Sequence, residues 1–234
     1  MSIVVSVRDL VKNYNALRPL RVKELVVQEG QVVSIAGVDA SAAELFVGLL
    51  TGALLPDAGE IRLFDKSTAD VTDSEAWLAM LDGVGIVAER AVLIQQFSIE
   101  QNIAMPFTLE IDPIGEHTRP AVESLAREVG LPETFWRTPV GSAGAEAQAR
   151  VRIARALALG PRLLIAEHPS ATLPRESVER FGRDLAAIAT RRKLAVLALT
   201  GDEVFARALG GILLTHEPAT GALKPVRVWR RFFG

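Results

Sequence analysis

Short runs of apolar and β-branched residues recur along the chain, each bounded by glycine, proline or charged residues. The clearest runs are residues 31–36, 163–166 and 194–199, and segments of helical composition such as 42–51 and 177–190 lie between them. A strand that is apolar on both faces has to be covered on both faces, which is typical of a parallel sheet between layers of helix. The alternation therefore predicts an α/β fold with a largely parallel, helix-covered sheet.

Composition narrows the class of protein. The chain has 234 residues, no cysteine, 49% hydrophobic and 23% charged residues, and a formal net charge of −2. These fractions exclude a disordered chain, and the missing cysteine excludes disulfides, Cys-ligated zinc and a thiol nucleophile. A nearly neutral charge balance argues against a nucleic-acid partner. We expect one domain, with or without a subdomain.

The apolar segments are too short to cross a bilayer. The longest, residues 45–56 and 194–199, fall below the ~20 residues that a spanning helix needs. Residues 1–10 alternate apolar and polar side chains and lack the pattern of a signal peptide. We expect a cytoplasmic protein, or one that docks on a membrane component.

Further segments complete the predicted order of elements. Residues 3–7, 22–27 and 60–64 have strand patterns. Residues 98–139, punctuated by Pro106, Pro113, Pro120 and Pro132, are expected to be mostly helical. A closing hairpin is predicted from residues 212–215 and 222–228. The tail, residues 226–233, mixes cations with aromatic residues. It is interpreted as a contact for anionic lipid headgroups or a partner, or as an edge strand with a solvated end.

Residues 31–52 combine a buried strand, a turn that contains Gly37, and a helix that stops at Gly52. In α/β proteins this unit is the usual setting for binding phosphate at a helix N-terminus. The unit is therefore the first candidate for a functional site.

Four segments, in the right order and with the right spacing, resemble one family. They are residues 49–64 with L-L-T-G and P-D-A-G-E-I-R-L-F, 98–103 with S-I-E-Q-N-I, 150–158, and 161–166. Over nearly its whole length the chain resembles the ATP-binding subunit of an ABC transporter. The resemblance implies a P-loop NTPase-like parallel sheet core, an N-terminal antiparallel β subdomain and an inserted α-helical subdomain. It implies a single domain over 1–234, with the core at about 1–89 and 156–234 and the helical subdomain at about 90–155.

The family's P-loop, G-x-x-x-x-G-K-[S/T], aligns with residues 37–44 but keeps little of its chemistry. Gly37 is retained, whereas Ala42 replaces the second glycine, Ala43 the lysine and Glu44 the hydroxyl residue. The lysine normally reaches the β and γ phosphates and the hydroxyl ligates Mg²⁺. Loss of a cation and gain of an anion both oppose nucleotide binding.

The same loop also has a purely structural interpretation. It is then an ordinary strand-to-helix turn in which Asp39 or Ser41 caps the helix.

The other catalytic motifs are altered in the same way. Glu89 aligns with the Q-loop glutamine, Glu167 with the Walker B aspartate and His168 with the catalytic glutamate, while Pro174 aligns with the D-loop aspartate and Gly201 with the switch histidine. The two acidic residues could ligate Mg²⁺ and the histidine could act as a base. The alternatives are a solvated loop acid and a structural histidine.

The signature motif and the adenine-stacking aromatic are the remaining positions. The signature aligns with residues 143–148, and a shifted register would use Ser142 and Gly144. Ser142, Gly144 and Gln148 are therefore the candidates for contact with a partner's nucleotide. Tyr14, the only tyrosine, matches the aromatic that stacks on adenine, or is a tyrosine at the edge of the core. His117 and His216 show no metal-ligand spacing and are expected at the surface.

Three functions follow from this resemblance. The first is a non-catalytic or regulatory subunit on the inner face of the cell membrane. It would dock on a permease near residues 89–102 and form a homodimer or a heterodimer with a second ABC subunit. The second is an unorthodox ATPase that uses Glu167 and His168. The third is a soluble scaffold. ATP and Mg²⁺ are implied only if nucleotide binding is retained, and the run through Asn102 and Pro106 resembles branches that handle lipids or lipoproteins.

Overall fold

The computed structural model describes residues 2–71 and 73–226. Within these residues the strands are β1 Ile3–Lys12, β2 Leu20–Gln28, β3 Val32–Ala36, β4 Ala58–Leu63, β5 Lys66–Ser67, β6 Val84–Val87, β7 Leu163–Glu167, β8 Ala195–Leu199, β9 Ile212–Glu217 and β10 Ala222–Pro225. The α-helices are α1 Ala40–Leu50, α2 Ser74–Leu81, α3 Ile99–Ala104, α4 Arg119–Glu128, α5 Ala145–Leu157, α6 Arg175–Arg192 and α7 Glu203–Leu209.

The strands form two sheets. The larger sheet has the order β10-β9-β3-β8-β7-β6 and is parallel except for β10, which pairs antiparallel with β9. The smaller sheet has the order β2-β1-β4-β5 and is antiparallel throughout. The predicted α/β class, with a parallel core and an N-terminal antiparallel sheet, is confirmed.

The parallel sheet separates two apolar cores. Along β7, Leu163 and Ile165 pack with α1 and the antiparallel sheet, whereas Leu164 and Ala166 pack with α5, α6 and α7. The side chains of β8 alternate in the same way. Because side chains on a strand point alternately to the two faces, this burial of every position explains the uninterrupted apolar runs.

The expectation that residues 98–139 are mostly helical is wrong. Two short helices, α3 and α4, and one 3₁₀ turn at Glu133–Phe135 are separated by turns around Pro106 and Pro113. Pro120 lies in the first turn of α4, where its missing N–H leaves no hydrogen bond unmade. The division at about residues 90 and 155 stays a prediction, and residue 155 lies inside α5.

The predicted closing hairpin is formed by β9 and β10. The part predicted at residues 227–228, and the membrane or partner contact predicted for the tail, lie outside the described residues. Among residues 2–71 and 73–226, no helix combines the length and the hydropathy that a bilayer crossing requires.

Candidate functional site

The turn between β3 and α1 is closed by the chain's own carboxylate. Gly37 has φ +82°, and a Cβ there would lie 3.2 Å from the carbonyl oxygen of His216, so the position favours glycine. Asp39 is the N-cap of α1, and its side chain accepts a hydrogen bond from the backbone N–H of Ala42 at 2.8 Å. The sequence left Asp39 and Ser41 as alternative caps of this helix. In the structure Asp39 is the cap, and Ser41 is exposed. The negative charge that stabilises the N-terminus of α1 therefore comes from the side chain of Asp39.

The next three residues point in different directions. Ala42 and Ala43 are buried, with Ala43 0% exposed, and they pack in the core beneath α1. Glu44 points outward from the helix. At the position that aligns with the family's lysine, this chain has the buried methyl group of Ala43. The next residue, Glu44, is acidic.

Arg90 joins two acidic residues that lie far apart in the sequence. Its Nη1 donates to Oε2 of Glu167, the last residue of β7, in a short contact. Its Nε lies 3.7 Å from Oε1 of Glu44 on α1. The side chain of Glu167 is only 11% exposed, whereas those of Arg90 and Glu44 are 39% and 64% exposed. Sequence analysis missed Arg90, although it directly follows Glu89.

His168 is held in an unusual backbone conformation. Its φ is +42°, and its N–H donates to the carbonyl oxygen of Leu199 at 2.8 Å, which ties the loop after β7 to β8. The ring Nε2 is buried and has no hydrogen-bond partner among the described residues. In a catalytic triad, a third residue orients the histidine that acts as the base. Among the described residues, none orients the His168 ring in this way.

The N-terminal ends of α6 and α7 are joined by an ion pair. Asp202 caps α7 through the N–H groups of Val204 and Phe205, and it accepts two 3.0 Å hydrogen bonds from Arg175. Gly201 is exposed, and a Cβ there would meet no atom within 4 Å. Pro174 is the N-cap of α6 and has no side-chain hydrogen bond to give.

The predicted signature segment leads into α5. Gly144 is the exposed N-cap of that helix, and Ser142 is also exposed. Gln148 turns back, and its amide donates to the carbonyl oxygens of Val140 at 3.2 Å and Ala143 at 3.0 Å. These hydrogen bonds stabilise the loop that precedes α5.

A cavity of about 450 Å³ lies beside the β3–α1 turn. Tyr14, Gly37, Asp39, Ala42 and His216 are among its lining residues. Burial raises the pKa of the Tyr14 hydroxyl, and the negative charge of Asp39 raises it further. The expectation that His216 is a surface residue is wrong, because it is buried and its Nε2 donates to a backbone carbonyl oxygen at 2.7 Å.

A second concave surface, which we call the Arg152/Arg155 groove, lies between α2, β6 and α5 and encloses about 380 Å³. Apolar residues form most of its wall. Leu78, Leu81, Ile86, Pro106 and Leu159 are among them. Glu89 is exposed in the neighbouring loop.

The two arginines of this groove are partly buried. Arg155 donates to the carbonyl oxygen of Val92 at 2.8 Å, and Arg152 reaches that of Ala91 at 3.4 Å. Burial lowers the pKa of both guanidinium groups, and within residues 2–71 and 73–226 neither forms a salt bridge. Asp82 also lines the groove and the negative charge of Glu89 acts on Arg152, but no described carboxylate lies within salt-bridge distance of either arginine.

Asn102 has a structural role. It is fully buried, accepts the N–H of Ile94 at 3.0 Å, and donates to the carbonyl oxygens of Ile94 and Ser98. Its side chain therefore shapes the loop from inside, and docking near residues 89–102 stays a prediction.

Comparisons with known proteins agree with the fold. The sequence model described as ABC transporter matches residues 20–171. The lipoprotein-releasing system ATP-binding protein LolD of Myxococcus xanthus is 28% identical, covering 88% of this chain and 93% of that protein. LolD 1 of Chlorobium luteolum is 30% identical, covering 88% and 91%.

A solved structure has the same fold. The dimeric ATP-binding cassette MJ0796, in a post-hydrolysis state with ADP and Pi, superposes with a TM-score of 0.77 at 24% identity, covering 96% of this chain and 100% of that one. The family match spans more than half of the chain, and it begins in β2 and ends just after β7. The chain therefore belongs to the ABC transporter family, as an ATP-binding domain of that family.

Proposed function

We propose that this chain is an ABC subunit that does not hydrolyse ATP and that has a structural or regulatory role on a membrane permease. One observation carries the proposal: the corner of the fold where the family binds phosphate holds the chain's own charges. Asp39 caps α1, Ala43 is buried in place of the lysine, and Arg90 lies against Glu44 and Glu167.

These residues do not fit a Mg²⁺–triphosphate. A triphosphate needs a lysine, free backbone N–H groups and a metal between its oxygens and the protein. Here Asp39 uses the N–H of Ala42, and two further carboxylates, those of Glu44 and Glu167, face the single guanidinium of Arg90. Stacking on Tyr14 would supply only about 1–3 kcal/mol, too little to offset the repulsion between these carboxylates and a triphosphate.

The Arg152/Arg155 groove favours a permease partner over an isolated scaffold. A concave surface with an apolar wall and two unpaired cations is suited to an amphipathic helix that carries an acidic side chain. This surface would place the subunit on the cytoplasmic face of the membrane. The names of the LolD relatives support a complex that handles lipoproteins or lipids.

Dimerisation fits the same proposal, since the similar cassette MJ0796 is dimeric. In the family's head-to-tail dimer each nucleotide lies between one P-loop and the other chain's signature. A homodimer of this chain would have two inactive sites. A heterodimer with a competent subunit would have one inactive site and one that uses the altered signature at Ser142, Gly144 and Gln148.

ATP binding and turnover, measured on the purified chain and on its detergent-solubilised complex, test the proposal. We expect no saturable binding of a fluorescent ATP analogue at millimolar concentration and phosphate release at the level of the His168→Ala variant. Micromolar affinity together with turnover abolished by His168→Ala would support the unorthodox ATPase instead. Failure to co-purify with any integral membrane subunit would favour the scaffold.

A further inference from the structure

We propose that the guanidinium of Arg90 occupies the place of the divalent cation in this fold and joins α1, the loop after β6 and the end of β7 without metal or nucleotide. This inference deepens the proposed function and rests on it for the assignment of Glu44 and Glu167 to the metal-binding positions.

The position of Arg90 carries the argument. In P-loop ATPases the metal is held by the P-loop hydroxyl residue and the Walker B aspartate. Those two positions align with Glu44 and Glu167, and Arg90 reaches both, with Nη1 on Glu167 and Nε 3.7 Å from Glu44. The positive charge beside Glu44 and Glu167 is therefore that of the Arg90 side chain.

The chemistry of the Arg90–Glu167 pair keeps a guanidinium, rather than a metal ion, at this position. A guanidinium stays charged at any physiological pH, and its planar donors match a carboxylate. Mg²⁺ requires oxygen ligands in near-octahedral geometry at about 2.1 Å, so it would have to displace Arg90 from Glu167 and approach another positive charge.

The contact differs from an ordinary surface ion pair in its burial. Glu167 is 11% exposed, so a carboxylate left there without a cation would be poorly solvated. Exposed pairs such as Arg207 with Glu203 on α7 are 47% and 66% exposed, and pairs of this kind contribute little. Most of the effect should therefore come from the contact with Glu167, and little from the exposed Glu44.

Thermal unfolding of the full chain tests the inference through a double-variant cycle. We expect Arg90→Gln to lower the Tm by about 2–6 °C, because it leaves the Glu167 carboxylate uncompensated. The double variant Arg90→Gln/Glu167→Gln should recover at least half of the loss, and Arg90→Lys should lose less than Arg90→Gln. The matched control Arg207→Gln should shift the Tm by no more than about 1 °C.

The inference is overturned if Arg90→Gln is as stable as the wild type, or if the double variant recovers nothing. If Arg90→Gln yields no folded protein, the double variant decides: recovery of folded protein supports the inference and continued misfolding overturns it.

Manganese binding gives an independent readout. The electron paramagnetic resonance signal of free Mn²⁺ should be the same with and without the wild-type chain, and EDTA should leave its Tm unchanged. Depletion of the Mn²⁺ signal by the wild type, abolished in Glu167→Gln, would overturn the inference. ATP turnover is scored separately, so the proposed function can stand if only the Arg90 contact fails.

Discussion

At the scale of single residues, the start of α1 shows how the family's binding site becomes an ordinary turn. A helix N-terminus attracts an anion through its free N–H groups and its dipole. Asp39 provides that anion from within the chain, and Ala43 adds apolar contact where a lysine would add charge. The loop is thereby stabilised without a ligand.

This role of Asp39 can be measured. Asp39→Ala should lower the free energy of unfolding by about 1 kcal/mol, because the N–H of Ala42 loses its acceptor. Urea denaturation of the wild type and the variant measures the difference. Ser41→Ala is the control, since Ser41 is exposed, and it should change stability by less than about 0.5 kcal/mol. If the two variants lose the same stability, Asp39 is not the cap.

Sequence reasoning reached some of these residues and not others. It found the helix start because strand, glycine and helix patterns are local, and it left Asp39 and Ser41 open because both are good caps. It could not find the Arg90 contact, because Glu44 and Glu167 come near only when β6 and β7 pair and α1 packs beside them. It also misplaced His216, whose burial depends on the non-local contact with β2.

At the scale of elements, a polar contact joins the C-terminal ends of α4, α5 and α6. Arg192, at the end of α6, donates to Glu128 at the end of α4 and to the carbonyl oxygen of Leu157, the last residue of α5. The local pattern of residues 177–190 predicted α6 well, whereas the region around α3 and α4 was predicted poorly. A proline inside a helix breaks it, whereas a proline in the first turn is tolerated. The composition of a segment does not show which of these positions its prolines occupy.

The contact between Glu128 and Arg192 should make stability depend on pH. Hydrogen bonding to Arg192 holds the pKa of Glu128 below its usual 4.5. A depressed carboxyl pKa contributes stability that is present above the unfolded value and is lost as pH falls through the folded value. We therefore expect Glu128→Gln to cost about 1 kcal/mol at neutral pH and less near pH 3.

Urea titrations of the wild type and Glu128→Gln at the two pH values measure this difference. Glu203→Gln, which breaks an exposed pair within α7, is the control and should cost little at either pH. A loss for Glu128→Gln that does not change with pH would contradict the assignment.

At the scale of the whole molecule, the parallel sheet and its two cores leave a largely apolar concave surface beside α2, β6 and α5, the Arg152/Arg155 groove. The sheet itself was predictable, because every residue of β7 and β8 that must be buried is apolar. The groove was not, since its wall comes from α2, β6 and α5, which are distant in sequence. Its arginines are partly buried and form no salt bridge within the described residues, and that combination argues for a ligand with a carboxylate.

Substitution of the groove wall should therefore break the complex and spare the fold. Leu78 and Leu159 are 57% and 61% exposed, so Leu78→Glu and Leu159→Glu should leave the Tm nearly unchanged. Both should reduce co-purification of an integral membrane subunit in detergent, because the acid replaces apolar contact. Leu109→Glu is the matched control, as Leu109 is 90% exposed and outside the groove. Complexes that survive both groove variants, or are lost equally with the control, would place the permease on another surface. Loss in the groove variants alone would establish that the subunit binds its partner through this groove.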